Sequence, residues 1–277
     1  MRARSAAVRT SVAVAVLMLA PGAPRPAHAW PAPLVEALAR DARRLVPRSL
    51  AQLMASREKE ILAAARALPP EVGQALVSDL NAGELRPATT AVLEAHAAEA
   101  LELFHQQRAS EGVIRLGALL RVPADLSDPI LSAGPEGYPS GVTREYYAFV
   151  SESLDKIPVV LDDPPALKLQ RRDLPRYWSG LLGRSREQAG VIRTELFQNG
   201  RVVDHRRIDY RSPVFGVASL SYSRAVTAIA ATWLAVWREA RGDLTRTPSP
   251  HPVQPSDAPP IPGAGREPKT TTTSNKP

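Results

Sequence analysis

The chain has no cysteine, which excludes disulfides, thiolate metal sites and a cysteine nucleophile. Stability must therefore come from packing, and a chain of 277 residues is long enough to bury a sizeable core without covalent staples. Histidine is scarce too, with five in all, at positions 28, 96, 105, 205 and 251. No Gly-x-Ser-x-Gly turn, phosphate-binding glycine loop or haem-attachment motif occurs, which removes the best-marked serine hydrolase, nucleotide and haem classes. A clustered basic patch is also missing: Arg43-Arg44, Arg171-Arg172 and Arg206-Arg207 are short and separated. They read as solvated faces, so no specific nucleic-acid partner is indicated.

The first segment lacks acids altogether. Met1 to Thr10 carries Arg2, Arg4 and Arg9, Ser11 to Ala20 is an apolar run too short to span a bilayer, and Ala27-His28-Ala29 forms a small-x-small end. This is the pattern of a secretory signal peptide over residues 1–29, making Trp30 the mature N-terminus and the protein exported, to the periplasm or outside the cell. Without the leader's four arginines the formal charge falls from +7 to +3, a mild excess that suits solubility.

From Pro33 on, apolar residues recur at helical spacing. Leu34, Leu38, Ala42 and Leu45 make one stripe and Leu50, Leu53, Met54, Ile61 and Leu62 a second, so two amphipathic helices are expected. Pro69-Pro70-Glu71 marks another start. Thr89 to Arg108 is a further helix, and Ser110-Glu111 opens one that Pro123 should interrupt. Ser132 to Gly141 reads as a loop, and Thr143 to Leu154 and Leu174 to Leu182 as helices. Asn199-Gly200 between β-branched segments predicts an inserted β-hairpin over about 191–208. Ser212-Pro213 caps a long last helix with Gly242 as its stop. Its continuous apolar part, Ala228 to Trp237, is too short for a span, so no transmembrane helix is expected in the mature chain. Pro, Thr and Ser dominate from Thr245 on, which predicts a disordered tail. The fold class is all-α: a leader over 1–29, a helical domain over 30–243 and a tail over 244–277.

A tryptophan at the mature start of an exported helical protein, together with the stretch Arg121-Val122-Pro123-Ala124-Asp125-Leu126-Ser127-Asp128-Pro129-Ile130-Leu131, resembles the zinc-dependent phospholipase C and single-strand nuclease superfamily. That resemblance implies a helical phospholipase C-like fold and a three-zinc cluster. In the superfamily, an N-terminal Trp amine and carbonyl, histidines, aspartates and a glutamate bind zinc, and a metal-bound hydroxide attacks a phosphodiester. Asp125 and Pro129 match the family pattern His-x-x-x-Asp-x-x-x-Pro-x-His. Arg121 and Leu131 stand where its two histidines belong, and neither can donate a lone pair to a metal.

The candidate cleft residues are Trp30, Arg121 and Asp125, with Trp30 and Asp125 the metal ligands if a site survives. Trp30 also reads as a core anchor, and Asp125 as an N-cap or turn residue after Pro123. His96 and His105, nine positions apart, face opposite sides of one helix and read as surface partners of Glu99 and Glu102. His205 reads as an exposed strand position. The expected function is an exported phospholipase C/nuclease-like protein with a degenerate metal site, acting without a cofactor as a binding or structural protein of the cell envelope. Arg121 would suit a phosphate-bearing or lipid-headgroup ligand. The alternative is a metal-dependent phosphodiester hydrolase with a reduced site built from Trp30, Asp125 and carboxylates such as Asp41, Glu145 or Glu152, holding zinc or a harder divalent ion.

Overall fold

The helical spacing becomes helices in the computed structural model, which describes residues 30–68, 70–133 and 137–245. The expected leader over 1–29 and the tail from 246 on lie outside the described residues. In chain order come α1 (Ala32–Arg43), α2 (Arg48–Ser56), α3 (Glu58–Arg66), α4 (Pro70–Ala82), α5 (Pro87–His105), α6 (Ala109–Leu126) and α7 (Val142–Glu152). They are followed by α8 (Leu174–Leu196), the strands β1 (Phe197–Gln198) and β2 (Arg201–Val202), and α9 (Pro213–Glu239). Short 3-10 turns lie between α6 and α9, among them Leu131–Ala133 and His205–Arg207. The class is all-α with a single antiparallel hairpin among the described residues.

The centre of the fold is α9, packed by α1, α5, α6 and α8. The Ser212 hydroxyl accepts the Phe215 N–H at 3.3 Å and Pro213 occupies the first turn, so both the cap and the fixed φ favour a start here. By length and composition α9 could cross a bilayer, yet 78% of its most apolar window is buried inside the fold, where it serves as the core helix. Its end corrects the expectation of a stop at Gly242. The left-handed residue is Arg241, at φ 56°, with the Gly242 N–H donating to the Trp237 carbonyl and the Arg241 N–H to that of Arg238. Two such bonds close the helix in a Schellman arrangement. Gly242 is needed for contact instead, since a Cβ there would lie 2.1 Å from Cε2 of the Trp237 ring.

Tryptophan ties the layers together. Trp233 on α9 donates its indole N–H to the Leu116 carbonyl of α6 at 3.1 Å, and Trp178 on α8 donates to the Thr232 hydroxyl at 3.3 Å. Trp30, just before α1, donates to the Ala124 carbonyl at 2.9 Å. All three rings are essentially inaccessible to water, so each indole N–H would cost about 1–3 kcal/mol if left unpaired.

Several boundaries differ from the sequence reading. The stripe from Leu50 to Leu62 is two helices, broken at Arg57, whose φ of −124° leaves the helical region; the Ser56 hydroxyl donates to the Leu53 carbonyl just before the break, competing with the ladder. Pro123 does not interrupt α6, which runs on to Leu126 with every residue from Leu116 to Leu126 buried. Burial on all sides outweighs the one donor that proline removes. The expected hairpin over 191–208 contracts to 197–202, where Asn199 and Gly200 both have positive φ, as a two-residue turn demands. The β-branched residues before it belong to α8, because Ser185, Ala189, Ile192 and Leu196 form a buried helical stripe. Tertiary burial decides against their strand propensity.

Gly117 of α6 lies directly against the backbone of α3. A Cβ there would meet Ile61 of α3 at 2.7 Å from its carbonyl oxygen and 2.8 Å from its Cα. Gly117→Ala is expected to destabilise the fold by about 1–3 kcal/mol through overpacking. Gly183→Ala, in open space on the exposed face of α8, is expected to stabilise it by about 0.5–1 kcal/mol. Urea denaturation of the two variants checks both signs.

Candidate functional site

Arg121 and Asp125 lie four apart on α6 and so share a face. The Arg121 Nε donates to Asp125 Oδ1 at 2.6 Å, with side-chain exposures of 7% and 9%. The N-cap or turn reading of Asp125 is thus corrected: it sits in the last helical turn as half of a buried ion pair. Trp30 adjoins the pair through its bond to the Ala124 carbonyl. Arg121 and Asp125 are thus paired, Trp30 is held to the residue before Asp125, and all three are buried. Leu131 begins a 3-10 turn and is packed against the apolar core.

One turn further on is a residue that the sequence reading did not single out. Asp128 is fully buried, its Oδ1 accepting the Ile130 N–H at 2.8 Å and its Oδ2 the Tyr147 hydroxyl at 2.7 Å. Tyr147 also stands beside Trp30, with ring centroids 6.4 Å apart. Burial pushes the Asp128 carboxyl up to about 7, against the opposing bonds from Tyr147 and Ile130, and neighbouring Asp125 adds to the rise. Asp125 is likewise pushed up to about 6 by burial, although Arg121 pulls it down. The same burial raises the Tyr147 hydroxyl well above its ordinary value. The spacing Asp125-x-x-Asp128 was visible in the sequence, but nothing in it marks the second carboxylate as buried.

The carboxylates offered for a reduced metal site are engaged elsewhere. Asp41 on α1 accepts the Tyr222 hydroxyl of α9 at 2.8 Å and lies 3.3 Å from Arg44. Glu145 and Glu152 of α7 both meet His205. The His205 Nδ1–H donates to Glu145 Oε2 at 2.7 Å and Nε2–H to Glu152 Oε1 at 3.1 Å. His205 is therefore no exposed strand residue; it opens the turn His205–Arg207, and its ring is 15% exposed. The bond from His205 is the chief reason that the Glu145 carboxyl falls to about 2, with Arg144 helping, and the His205 imidazole is raised above 6.5 by Glu145. This constellation joins residues some 60 positions apart, which no local spacing could reveal.

The other histidines divide. His96 is mostly buried, 3.9 Å from Glu99, and its Nδ1 has no hydrogen-bond partner, which corrects the surface reading. His105 is exposed, but Glu102 accepts from Gln106. Of the α9 serines, Ser221 donates to Gln188 and Ser223 to the Pro158 carbonyl, so both are packing contacts of a helix face. No family model, curated protein or solved structure matches the chain.

What the buried centre can do is hold protons near neutrality. A carboxyl whose folded pKa is raised adds stability that is fully present below its unfolded value of 3.8 and is lost as pH rises through about 7 for Asp128. Asp128→Asn keeps an acceptor for Ile130 and a polar partner for Tyr147. It is expected to flatten the loss of stability between those limits and to raise stability at alkaline pH by on the order of 1–3 kcal/mol. Urea midpoints measured across the acid-to-alkaline range test this; an unchanged slope in the variant would assign the dependence elsewhere.

Proposed function

We propose that this chain is an exported phospholipase C/nuclease-like protein with a degenerate metal site, and that it acts as a binding or structural protein of the cell envelope without hydrolysing phosphodiesters. The observation that carries this reading is the Arg121–Asp125 pair. A permanently charged guanidinium lies 2.6 Å from the one acid that matches the family motif, where a metal ligand set would need a neutral nitrogen donor. Asp128, the next acid, is committed to Tyr147 and to the backbone. Hydrolysis by metal-bound hydroxide needs a cation with an open position, and a guanidinium offers none.

The leader-like segment from Met1 to Ala29 supports export. A phosphate ester or lipid headgroup is the ligand class proposed for Arg121. It would have to displace Asp125 from a guanidinium that is already paired and nearly inaccessible.

The test is a phosphodiesterase assay on the purified protein, its N-terminus determined by mass spectrometry, with bis(p-nitrophenyl) phosphate, phosphatidylcholine vesicles and single-stranded DNA in the presence of zinc, manganese or calcium. Turnover at the blank rate is expected for all three substrates. Metal-dependent hydrolysis that disappears in Asp125→Asn would instead establish the reduced-site hydrolase. Binding of inorganic phosphate, followed by equilibrium dialysis, should weaken in Arg121→Met if Arg121 serves the ligand.

A further inference from the structure

We propose that Glu145, Asp204 and His205 form a site for one divalent transition-metal ion, zinc being the ion that its donors suit, distinct from the Trp30 and Asp125 position. This goes beyond the reading above and does not depend on it. The ligand atoms offered by the three residues all lie within 4.8 Å of one another. Nδ1 of His205 is 2.7 Å from Glu145 Oε2 and 3.6 Å from Asp204 Oδ1. A tetrahedral zinc with bonds of about 2.0–2.1 Å holds its ligand atoms about 3.4 Å apart. The contact with Asp204 already has that spacing, and the one with Glu145 must open by about 0.7 Å. Its present closeness is a hydrogen bond, so the Nδ1 proton stands between the two atoms that the metal would join. Binding exchanges that proton for the ion.

A separate observation favours a ligand over a simple ion pair. The far nitrogen of the ring, Nε2, donates to Glu152 Oε1 at 3.1 Å. A carboxylate on the second nitrogen is the usual support of a metal-bound histidine, because it fixes the tautomer and aims the other lone pair. With Nε2–H held in this way, release of the Nδ1 proton would leave a lone pair directed at Glu145 and Asp204. The carboxylates are themselves held: Glu145 accepts the His205 backbone N–H and pairs with Arg144 through Oε1. Asp204 Oδ1 accepts the Arg206 N–H. Three acids, Glu145, Glu152 and Asp204, then face one imidazole and Arg144, an excess of negative charge that a dication offsets. Three protein ligands, with Asp204 more than half exposed, leave a fourth position to water, as in open zinc sites. A nitrogen with two carboxylate oxygens suits zinc better than calcium, which prefers oxygen alone.

The experiment is zinc titration of the purified protein by calorimetry at slightly alkaline pH, with bound zinc per chain read by elemental analysis after free metal is removed. One zinc per chain is expected, with release of about one proton and a shift of the His205 ring resonances in the NMR spectrum. His205→Ala and Glu145→Gln should each weaken binding at least roughly tenfold, and Asp125→Asn should leave it unchanged. If His205→Ala does not fold, as judged by circular dichroism, Asp204→Asn carries the test, because asparagine retains the acceptor for Arg206. No retained zinc, or zinc retained equally by the His205, Glu145 and Asp204 variants, overturns the proposal. Zinc lost only in Asp125→Asn would place the ion at the Trp30 end of α6, overturning this site and the metal-free reading of Asp125 together.

Discussion

The arrangement around Trp30, Arg121 and Asp128 depends on burying the last two turns of α6 with their charges paired inside the chain. A lone ionised Arg121 or Asp125 in that position would carry a desolvation cost of several kcal/mol. Bonded at 2.6 Å, the two recover much of it from each other, and the helix can run through Pro123 into the core. Such a pair is weak evidence of net stability, because an apolar pair of the same volume often does as well. Its consequence is geometric: with Arg121 and Asp125 locked, the chain turns at Ser127 and delivers Asp128 to Tyr147.

The same constraint explains why tryptophan is placed as it is. Trp30 and Trp233 both donate to carbonyls of α6, at Ala124 and Leu116. The start of the helical domain and its final helix are thereby fixed to one element. The apolar residues around them form two buried clusters, one about Trp30 and Trp233 and the other about Trp178. Both include residues of α5, α6, α8 and α9, so these four helices run through both clusters.

The helical class, the Ser212-Pro213 start of α9 and the turn at Asn199-Gly200 were legible because each rests on local chemistry: apolar period, a capping hydroxyl before proline, and a dipeptide that tolerates positive φ. The errors fell where distant packing decides. Val191 to Leu196 has strand propensity yet completes the buried stripe of α8, and Pro123 breaks a local rule inside a fully buried turn. At the candidate site, Trp30, Arg121 and Asp125 were named from the sequence; the fold pairs Arg121 with Asp125 and ties Trp30 to the neighbouring Ala124 carbonyl. Asp128 was passed over because nothing local says that its carboxylate would be buried against a tyrosine from another helix. His205 was misplaced for the same reason: its partners come from α7, and only the fold brings them to it.

Helix α7 links the two ionic centres. Tyr147 reaches Asp128, while Glu145, two residues earlier and so about 200° away around the helix, reaches His205 on the other side. On the buried side the raised Asp128 carboxyl favours the folded state while it is protonated, and this is lost as pH rises through about 7. On the outer side His205 is raised as well, so its contribution is complete below 6.5 and is lost as pH climbs through its higher folded value. Glu145, lowered to about 2, contributes above its ordinary 4.5 and fails only in strong acid. Both faces of α7 are therefore held best in mildly acidic solution and loosen together on the alkaline side. A metal ion on Nδ1 would alter one face alone. It would supply at alkaline pH the positive charge that the imidazole has given up, and so decouple the outer clamp from the buried carboxyl.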